Sequence, residues 1–321
     1  MKWYHLQVSL TMVLDIMKNQ IKTRNMPNTH SNTHVNSLVR QHGTQDIPSV
    51  NEIPKLFKVG VIGVGVVGSS VIQSFKQLDL PVLAFDKYKN TGTLEQMLTN
   101  DINFLCLPTI YDHNTNQYDK APINETCEYL AANNYKGVVV IKSTVEPMTT
   151  INLAKLYPKL VLFHNPEFLT AKTAFEDFHN QKHIIIGYTS SKDDIATVQL
   201  AVFFATHYPQ AEISICTSTE SECTKIFCNN FYAVKIQCFN EFYFTSRVAG
   251  ADYDRVRELM IKNGWINPMH TTVPGNDGQF SFGGMCFPKD TNALLSFMKS
   301  NDIPCSVLEA TVKERNSMRE D

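Results

Sequence analysis

One short segment constrains the fold more than any other part of the chain. The run GVGVVG at 63–68 directly follows the apolar segment KVGVI at 58–62, and the chain then continues with apolar side chains at helical spacing. Gly63 permits a tight turn, Gly65 lets backbone N–H groups approach a ligand, and Gly68 lets a helix pack closely on a strand. Such a turn can bind phosphate, because the first N–H groups of a helix have no partner within it.

A carboxylate follows this turn at an informative distance. Asp86 ends a second apolar segment, PVLAFD at 81–86, and stands 18 residues after Gly68. In this position a carboxylate accepts hydrogen bonds from ribose hydroxyl groups and repels a 2′-phosphate, and the neighbouring Lys87 weakens that repulsion slightly. The spacing predicts a Rossmann half over residues 58 to about 145 that binds NAD in preference to NADP.

Apolar segments alternate with helical segments along the first two thirds of the chain. Further strands are predicted at 102–107, 137–144, 160–164, 183–188 and 212–216. Continuous apolar strands between helices indicate an α/β protein with a doubly wound parallel sheet that is covered on both faces.

A long helix is predicted after the last of these strands. The chain has neither glycine nor proline from 210 to 249, and Thr219 and Glu222 have the spacing of a capping box. We therefore expect one helix over about 219–247, rich in aromatic side chains.

Shorter helices are predicted at 252–262 and 291–301. We expect three regions: a flexible N-terminal extension at 1–57, an NAD-binding domain at 58–215, and a helical dimerisation and substrate domain at 216–321. The extension is rich in Asn, Thr, His, Ser and Gln and has few large apolar residues, a composition that cannot offset the entropy of ordering.

Composition excludes several classes of protein. The net charge of −2 gives no reason to expect nucleic acid or an acidic membrane as partner, and no apolar run approaches the length of a membrane span. The eight cysteines stand singly, without the spacing of zinc ligands, so we expect no metal and a reducing compartment such as the cytoplasm. We interpret Cys106 and Cys127 as packing residues.

Two groups of polar residues could perform chemistry. Lys225 and Asn229 stand four apart on the predicted long helix and share one face with Glu222, a pattern that by itself favours a solvated helix face. Cys286 follows two glycines and precedes Lys289, which could lower the pKa of the thiol.

The spacing around Cys286 has a structural interpretation as well. By itself it favours a small buried cysteine, followed by Asp290 as the cap of the 291–301 helix. Thr144 ends the predicted strand 137–144, at the edge where open α/β sheets bind ligands. Glu167 follows Asn165-Pro166 at the C-terminal end of a predicted strand, where a turn carboxylate is equally often structural.

The motifs together resemble one family. FGGMCFPKD at 282–290 resembles the cysteine loop of the UDP-glucose/GDP-mannose dehydrogenase family. IKSTV at 141–145, NPEFL at 165–169, the spacing of Lys225 and Asn229, and the glycine turn are similar to the same family, in its order and at about its intervals. The resemblance extends over roughly 58 to 310. It outweighs the interpretation of Lys225 and Asn229 as a solvated helix face and that of Cys286 as a small buried cysteine.

The resemblance implies an enzyme that oxidises the C6 alcohol of a nucleotide sugar, in the first place UDP-glucose, to a carboxylate with two NAD⁺. Cys286, as a thiolate, would add to the aldehyde to give a thiohemiacetal, whose oxidation yields a thioester that water hydrolyses. Lys225 would stabilise the negative charge on the C6 oxygen, and Asn229 would hold that oxygen or a water. Asp290 would accept a proton through water.

The resemblance also implies ligand contacts. Glu167 and Thr144 would position the hydrolytic water. The implied cofactor contacts are Gly63, Gly65, Val66, Val67, Gly68, Asp86, Lys87, Thr109, Thr144 and Lys289. The implied substrate contacts are Glu167, Phe168, Leu169, Lys225, Asn229 and Gly283.

We also expect two chains to pair through the long helix. The aromatic residues that support this expectation are Phe227, Phe231, Tyr232, Phe239, Phe242, Tyr243 and Phe244.

The chain departs from the family pattern at three places. Ala171 stands where a second glutamate is usual, and Trp265-Ile266-Asn267 stands where an Arg-Ile-Gly segment is frequent. The sequence stops 35 residues after Cys286, so we expect the family's second, nucleotide-gripping domain to be absent.

Two other functions remain open. A β-hydroxyacid dehydrogenase has a similar Lys-xxx-Asn pair but needs no cysteine, so Cys286 argues against it. A non-catalytic NAD-binding homologue is favoured by Ala171 and opposed by the retained Cys286, Lys225 and Asp290.

Overall fold

The computed structural model describes residues 57–190 and 194–320. The extension predicted over 1–57 lies outside these residues, apart from Phe57. The chain divides into two compact units. The first holds the described residues up to Pro108, with Ala121–Ser143 and Met148–Ser221, and the second holds Thr109–Lys120, Thr144–Pro147 and the chain from Glu222 onward.

The strands are short, from two to six residues each. In chain order they are β1 (Val59–Ile62), β2 (Val82–Phe85), β3 (Ile102–Leu105), β4 (Tyr111–Asp112), β5 (Gln117–Tyr118), β6 (Val138–Ile141), β7 (Val161–His164), β8 (His183–Tyr188) and β9 (Glu212–Thr217).

The helices alternate with these strands and then follow them. They are α1 (Val66–Gln77), α2 (Ala121–Ala132), α3 (Thr149–Leu156), α4 (Ala174–His179), α5 (Asp194–His207), α6 (Ser218–Val248), α7 (Tyr253–Lys262), α8 (Phe287–Ser300) and α9 (Ser306–Met318).

The first unit is built on a seven-stranded sheet in the order β2-β1-β3-β6-β7-β8-β9. Every residue of β1, β3 and β6 is buried. Because successive side chains of a strand point to opposite faces, both faces of the sheet are covered there. The predicted α/β class with a mostly parallel sheet is confirmed.

One pairing departs from the parallel series that the sequence predicts. β7 and β8 are antiparallel, with Phe163 opposite Tyr188 and His164 opposite Gly187. The chain leaves β7 at its C-terminal end and returns from the same end through α4, which packs against α1. α4 has only six residues.

An aromatic cluster forms the centre of the first unit. The ring centroid of Phe75 lies 5.3 Å from that of Phe104 and 5.7 Å from that of Phe203. Phe57 packs edge-on against Phe203, and all four rings are buried. This burial of large rings supplies much of the hydrophobic stabilisation of the sheet region.

The predicted long helix is confirmed, but its cap is not where the sequence pattern placed it. α6 begins at Ser218, and the hydroxyl of Thr217 accepts a hydrogen bond from the backbone N–H of Glu220 at 3.3 Å. The carboxylate of Glu220 in turn accepts from the backbone N–H of Thr217 at 2.7 Å. The capping box is therefore formed by these two residues, and the prediction of Thr219 and Glu222 was wrong by two positions.

The second unit contains most of α6, the helices α7 to α9 and the hairpin β4–β5, which no sequence pattern predicted. Asp252 caps α7 by accepting from the N–H of Asp254 at 3.0 Å. Among the described residues, no helix combines the length and apolar character needed to cross a membrane.

Candidate active site

The three glycines of the turn after β1 have different surroundings. Gly63 has a φ of +93°, and a Cβ added there would lie 2.5 Å from the carbonyl oxygen of Cys106. A Cβ at Gly68 would lie 1.9 Å from the carbonyl oxygen of Gly63, whereas a Cβ at Gly65 would meet nothing within 4 Å. Two glycines are thus required by packing, and Gly65 borders open space.

The N-terminus of α1 begins at this open space. Gly65 is its N-cap, no side chain caps the helix, and its first turn contains no acidic residue. The N–H groups of Val66 and Val67 therefore lack the side-chain acceptors that cap most helices, although the Val67 side chain packs on the core. These features fit the pyrophosphate group of NAD.

Asp86 follows β2 beside the same turn. Its carboxylate accepts from the N–H groups of Val64 at 2.8 Å and of Tyr88 and Lys89 at 2.9 Å each. Burial raises the pKa of Asp86, but these backbone hydrogen bonds outweigh burial and leave the pKa below its usual value. The ionised carboxylate is suited to accept from ribose hydroxyl groups.

The two lysines that follow Asp86 have different partners. Lys87, a predicted cofactor contact, is exposed, with its ammonium 3.8 Å from the carboxylate of Glu125. Lys89, which no motif indicated, donates from its ammonium to the carbonyl oxygen of Val64 at 2.5 Å. Lys89 therefore places a cation beside the glycine turn.

The segment NPEFL lies in the first unit. Glu167 accepts through a carboxylate oxygen from the N–H of Leu169 at 2.6 Å, and Phe168 is exposed. Lys142 is buried and donates to the side-chain oxygen of Asn165 at 2.8 Å. Lys142 was not among the predicted site residues.

Thr109 and Thr144 are brought together in the second unit. The hydroxyl of Thr109 donates to the carbonyl oxygen of Thr144 at 2.7 Å, and both residues are buried. They stand 35 residues apart in sequence, so their contact joins the start of the hairpin segment to the stretch that follows β6.

Cys286 lies immediately before α8 and is exposed to solvent. The interpretation as a small buried cysteine is therefore wrong. α8 begins at Phe287, four residues earlier than predicted, with Pro288 in its first turn. Pro suits this position because its missing N–H would have no partner there. Asp290 thus lies within α8 and is not its cap.

The carboxylate of Asp290 is fully buried in a hydrogen-bonded cluster. It accepts from the hydroxyl of Tyr118, from the ammonium of Lys289 at 2.5 Å and from the side-chain amide of Asn229 at 2.6 Å. The amide of Asn230 donates to the backbone carbonyl of Asp290 at 3.1 Å. The predicted residues Lys289 and Asn229 therefore both bind the third predicted residue, Asp290.

The polar face of α6 is buried. Glu222, Lys225 and Asn229 have exposed fractions of 0%, 4% and 6%. The interpretation as a solvated helix face is therefore wrong, because this face packs into the protein. Buried ionisable groups are costly to keep and concentrate at functional sites.

Gly283 lies against an arginine that the motifs did not indicate. A Cβ at Gly283 would lie 2.2 Å from a terminal nitrogen of Arg319, whose other terminal nitrogen is 2.8 Å from the carboxylate of Asp277. Arg315 donates to the carbonyl oxygen of Phe282 at 3.1 Å. Two arginines near the end of α9 thus contact the glycine loop before Cys286.

Within the described residues, no group of His, Cys, Asp and Glu side chains could hold a metal ion. The mostly parallel sheet, the glycine turn and the ionised carboxylate after β2 define an NAD-binding protein of the Rossmann type. The comparison with known protein families narrows this class further. The chain belongs to the UDP-glucose/GDP-mannose dehydrogenase family, whose NAD-binding domain matches residues 83–204 and whose central domain matches residues 219–317.

Several relatives are UDP-glucose 6-dehydrogenases. That of Streptococcus pneumoniae is 26% identical over 223 residues, which are 68% of this chain and 54% of that protein. That of Rhizobium meliloti is 30% identical over 222 residues, which are 66% of this chain and 49% of that protein. The chain therefore spans about half the length of the curated relatives it matches.

Solved structures share the fold. A UDP-glucose dehydrogenase from the hyperthermophilic archaeon Pyrobaculum islandicum superposes with a TM-score of 0.72 at 22% identity, covering 83% of this chain and 70% of that chain. A UDP-D-ManNAc dehydrogenase from Pyrococcus horikoshii gives a TM-score of 0.68 at 18% identity, covering 81% of this chain and 68% of that chain.

Proposed function

We propose that the chain is a nucleotide-sugar 6-dehydrogenase that oxidises UDP-glucose, or a related nucleotide hexose, to the uronate with NAD. The observation that carries the proposal is the exposed Cys286 at the start of α8, beside the buried cluster of Asp290, Asn229 and Lys289. A single two-electron oxidation of an alcohol needs no nucleophile, whereas a cysteine allows the further oxidation to an acid to proceed through a covalent thioester. The names of the relatives support the class of substrate.

Cys286 is suited to the thiolate form. It precedes a helix of 14 residues, and the N-terminus of a helix carries partial positive charge. The thiolate would attack the C6 carbon of the aldehyde, forming a carbon–sulfur bond while the carbonyl electron pair moves to oxygen. Lys225 would stabilise that oxygen. Bound NAD supplies the hydride acceptor for both oxidations.

The second half of the reaction releases the acid. Water attacks the thioester carbon, the carbon–sulfur bond breaks, and the thiolate of Cys286 leaves with the electron pair. Glu167 and Thr144 would position this water. Asp290 already accepts hydrogen bonds on both oxygens, so the proton that the attacking water loses would reach it through a bridging water.

The test is an assay of NADH formation against a panel of nucleotide sugars. Wild-type protein should release two NADH for each sugar consumed. Cys286→Ser should lose turnover, because an alkoxide forms much less readily than a thiolate at neutral pH. Cys127→Ser is the matched control, because Cys127 is buried and burial raises its pKa to about 12, which keeps it an inert thiol.

Each alternative predicts a different result in this assay. Turnover of Cys286→Ser within about threefold of wild type, less than about 1 kcal/mol in barrier, would contradict the thioester mechanism. One NADH per sugar would favour chemistry of the β-hydroxyacid type. NAD binding without NADH formation would favour the non-catalytic homologue.

We also propose that two chains pair through α6 and that the protein acts in the cytoplasm. Phe227 and Phe231 remain 51% and 64% exposed on this helix, which supports pairing. No disulfide joins any of the eight cysteines, all of which lie in the described part of the chain, and this supports a reducing compartment.

A further inference from the structure

Tyr118 lies on the second strand of the β4–β5 hairpin and is almost fully buried in the second unit. Its ring belongs to an apolar cluster with Ile226 of α6, Leu294 of α8 and Leu308 of α9. A tyrosine in such a cluster keeps its hydroxyl only if a partner is present, because an unpaired buried polar group is costly. The hydrogen-bond partner of the Tyr118 hydroxyl therefore indicates its role.

That partner is the carboxylate of Asp290. The hydroxyl of Tyr118 donates to the same oxygen that accepts from Lys289, while the other oxygen accepts from Asn229. A buried carboxylate keeps its charge only when donors surround it. Tyr118 thus provides one of the three bonds that orient a carboxylate four residues after Cys286.

The ring of Tyr118 also contacts the cation of this cluster. The ammonium of Lys289 lies 4.6 Å from the ring centroid, within the range of a cation–π interaction. The same ammonium is 2.5 Å from the carboxylate of Asp290. One tyrosine therefore holds both members of the ion pair, one through its hydroxyl and the other through its ring.

The backbone of Tyr118 is fixed as well. Its N–H donates to one carboxylate oxygen of Glu146 at 2.9 Å, and the ammonium of Lys120 binds the other oxygen at 2.8 Å. Glu146 is buried and follows Thr144 by two residues. The hairpin is therefore tied to the stretch that carries Thr144, and the hydroxyl of Tyr118 is held in place.

The surroundings of Tyr118 also act on the pKa of its hydroxyl. Burial raises this pKa well above its usual value, and the charge of Asp290 and the hydrogen bond to its carboxylate raise it further. The hydroxyl therefore stays protonated near neutral pH and remains a donor to Asp290.

We propose that Tyr118 is a positioning residue of the Cys286 site. It holds the carboxylate of Asp290 and the ammonium of Lys289 together, so that the charge of Asp290 is offset where the thiolate forms. The proposal rests on the proposed function, because it assigns Tyr118 to the reaction at Cys286.

The first test measures the thiol directly and needs no turnover. Alkylation of Cys286 by iodoacetamide at about pH 7.5, roughly one unit below the usual thiol pKa, is followed by mass spectrometry of its peptide. Tyr118→Phe keeps the ring and removes the donor, so the less-shielded Asp290 should disfavour the thiolate and slow alkylation by about threefold or more. The matched control is Tyr111→Phe on the same hairpin, whose hydroxyl bonds Asn116 at 3.2 Å, and its rate should equal that of wild type.

A double substitution tests whether Tyr118 acts through Asp290. In an Asp290→Asn background the carboxylate charge is gone, so adding Tyr118→Phe should leave the alkylation rate unchanged. An equal slowing in that background would overturn the proposal, and so would equal rates in wild type, Tyr118→Phe and Tyr111→Phe.

Turnover gives the remaining readout. Tyr118→Phe should lower kcat by about tenfold with KM unchanged within about twofold, because the hydroxyl orients Asp290 and does not touch the substrate. A rise in KM with constant kcat would overturn the proposal. If wild type forms no NADH, the proposed function fails by itself, and the alkylation rates still decide the role of Tyr118.

Discussion

At the scale of single residues, hydrogen bonds from neighbouring groups surround two carboxylates of this protein. Asp86 is the clearest case, because three backbone N–H groups bind its carboxylate and lower its pKa against the opposing effect of burial. The hydrogen bonds thus keep Asp86 charged, as the proposed contact with the ribose of NAD requires. Asp290 is held by a different set of donors, all of them side chains.

The charge of Asp86 gives a prediction about cofactor choice. We expect wild-type protein to bind NAD at least about tenfold more tightly than NADP, and Asp86→Asn to bring the two dissociation constants close together. Titration calorimetry measures both. Asp79→Asn, in the turn after α1, is the control and should leave the preference intact. Equal affinities in the wild type would remove this role of Asp86.

The same carboxylate predicts a pH dependence. Because the folded-state pKa of Asp86 is lowered, its contribution to stability is present above the unfolded value of about 3.9 and is lost as the pH falls through the folded value. NAD affinity should therefore be constant between about pH 5 and pH 8 and weaken only in more acidic solution.

At the scale of secondary structure, the glycines at the junction of β1 and α1 differ in their surroundings. Gly68 brings the helix close to the carbonyl of Gly63, and Gly65 faces open space. The long helix α6 shows a similar division, since one face buries Lys225 and Asn229 while Phe231 remains exposed. Each element thus has one side that is closely packed and another that is open.

Two alanine variants test this division at the glycine turn. Gly68→Ala should lower the melting temperature and abolish NAD binding, because its Cβ would lie 1.9 Å from a carbonyl oxygen. Gly65→Ala should leave the melting temperature of the ligand-free protein unchanged, yet weaken NAD by about tenfold or more, because the methyl group occupies the approach to the pyrophosphate. Thermal unfolding with and without NAD measures both effects. Equal loss of stability in the two variants would contradict the assignment.

At the scale of the whole molecule, α6 has more exposed aromatic side chains than is usual for a helix that faces solvent. Phe227, Phe231, Phe242 and Phe244 are exposed, whereas Phe239 is buried in the second unit. A row of exposed rings on one long helix is typical of a surface that a second copy covers.

Sedimentation velocity at micromolar concentration tests this pairing. Wild-type protein should sediment as a dimer, and Phe231→Glu should shift it towards monomer, because a carboxylate would be buried without a partner. Leu156→Glu replaces an exposed leucine of α3 in the first unit and should leave the dimer intact. A wild-type monomer would refute the proposal.

Local spacing in the sequence determined the features that depend on neighbouring residues. The glycine turn, the apolar strands and the long helix α6 follow from periods of a few residues, and the structure has them close to the predicted positions. Cap positions were harder to predict, because Thr217 and Thr219 offer the same chemistry two residues apart. Only the packed chain selects one of them.

Tertiary structure alone decided which distant groups meet. The direction of β8, the β4–β5 hairpin and the burial of the polar face of α6 depend on how elements pack, which no local period encodes. Tyr118 and Asp290 are 172 residues apart in sequence, and Arg319 reaches Gly283 from the far end of α9. A residue's spacing fixes the face of its own helix or strand, but its partner is fixed by the fold that brings two such faces together.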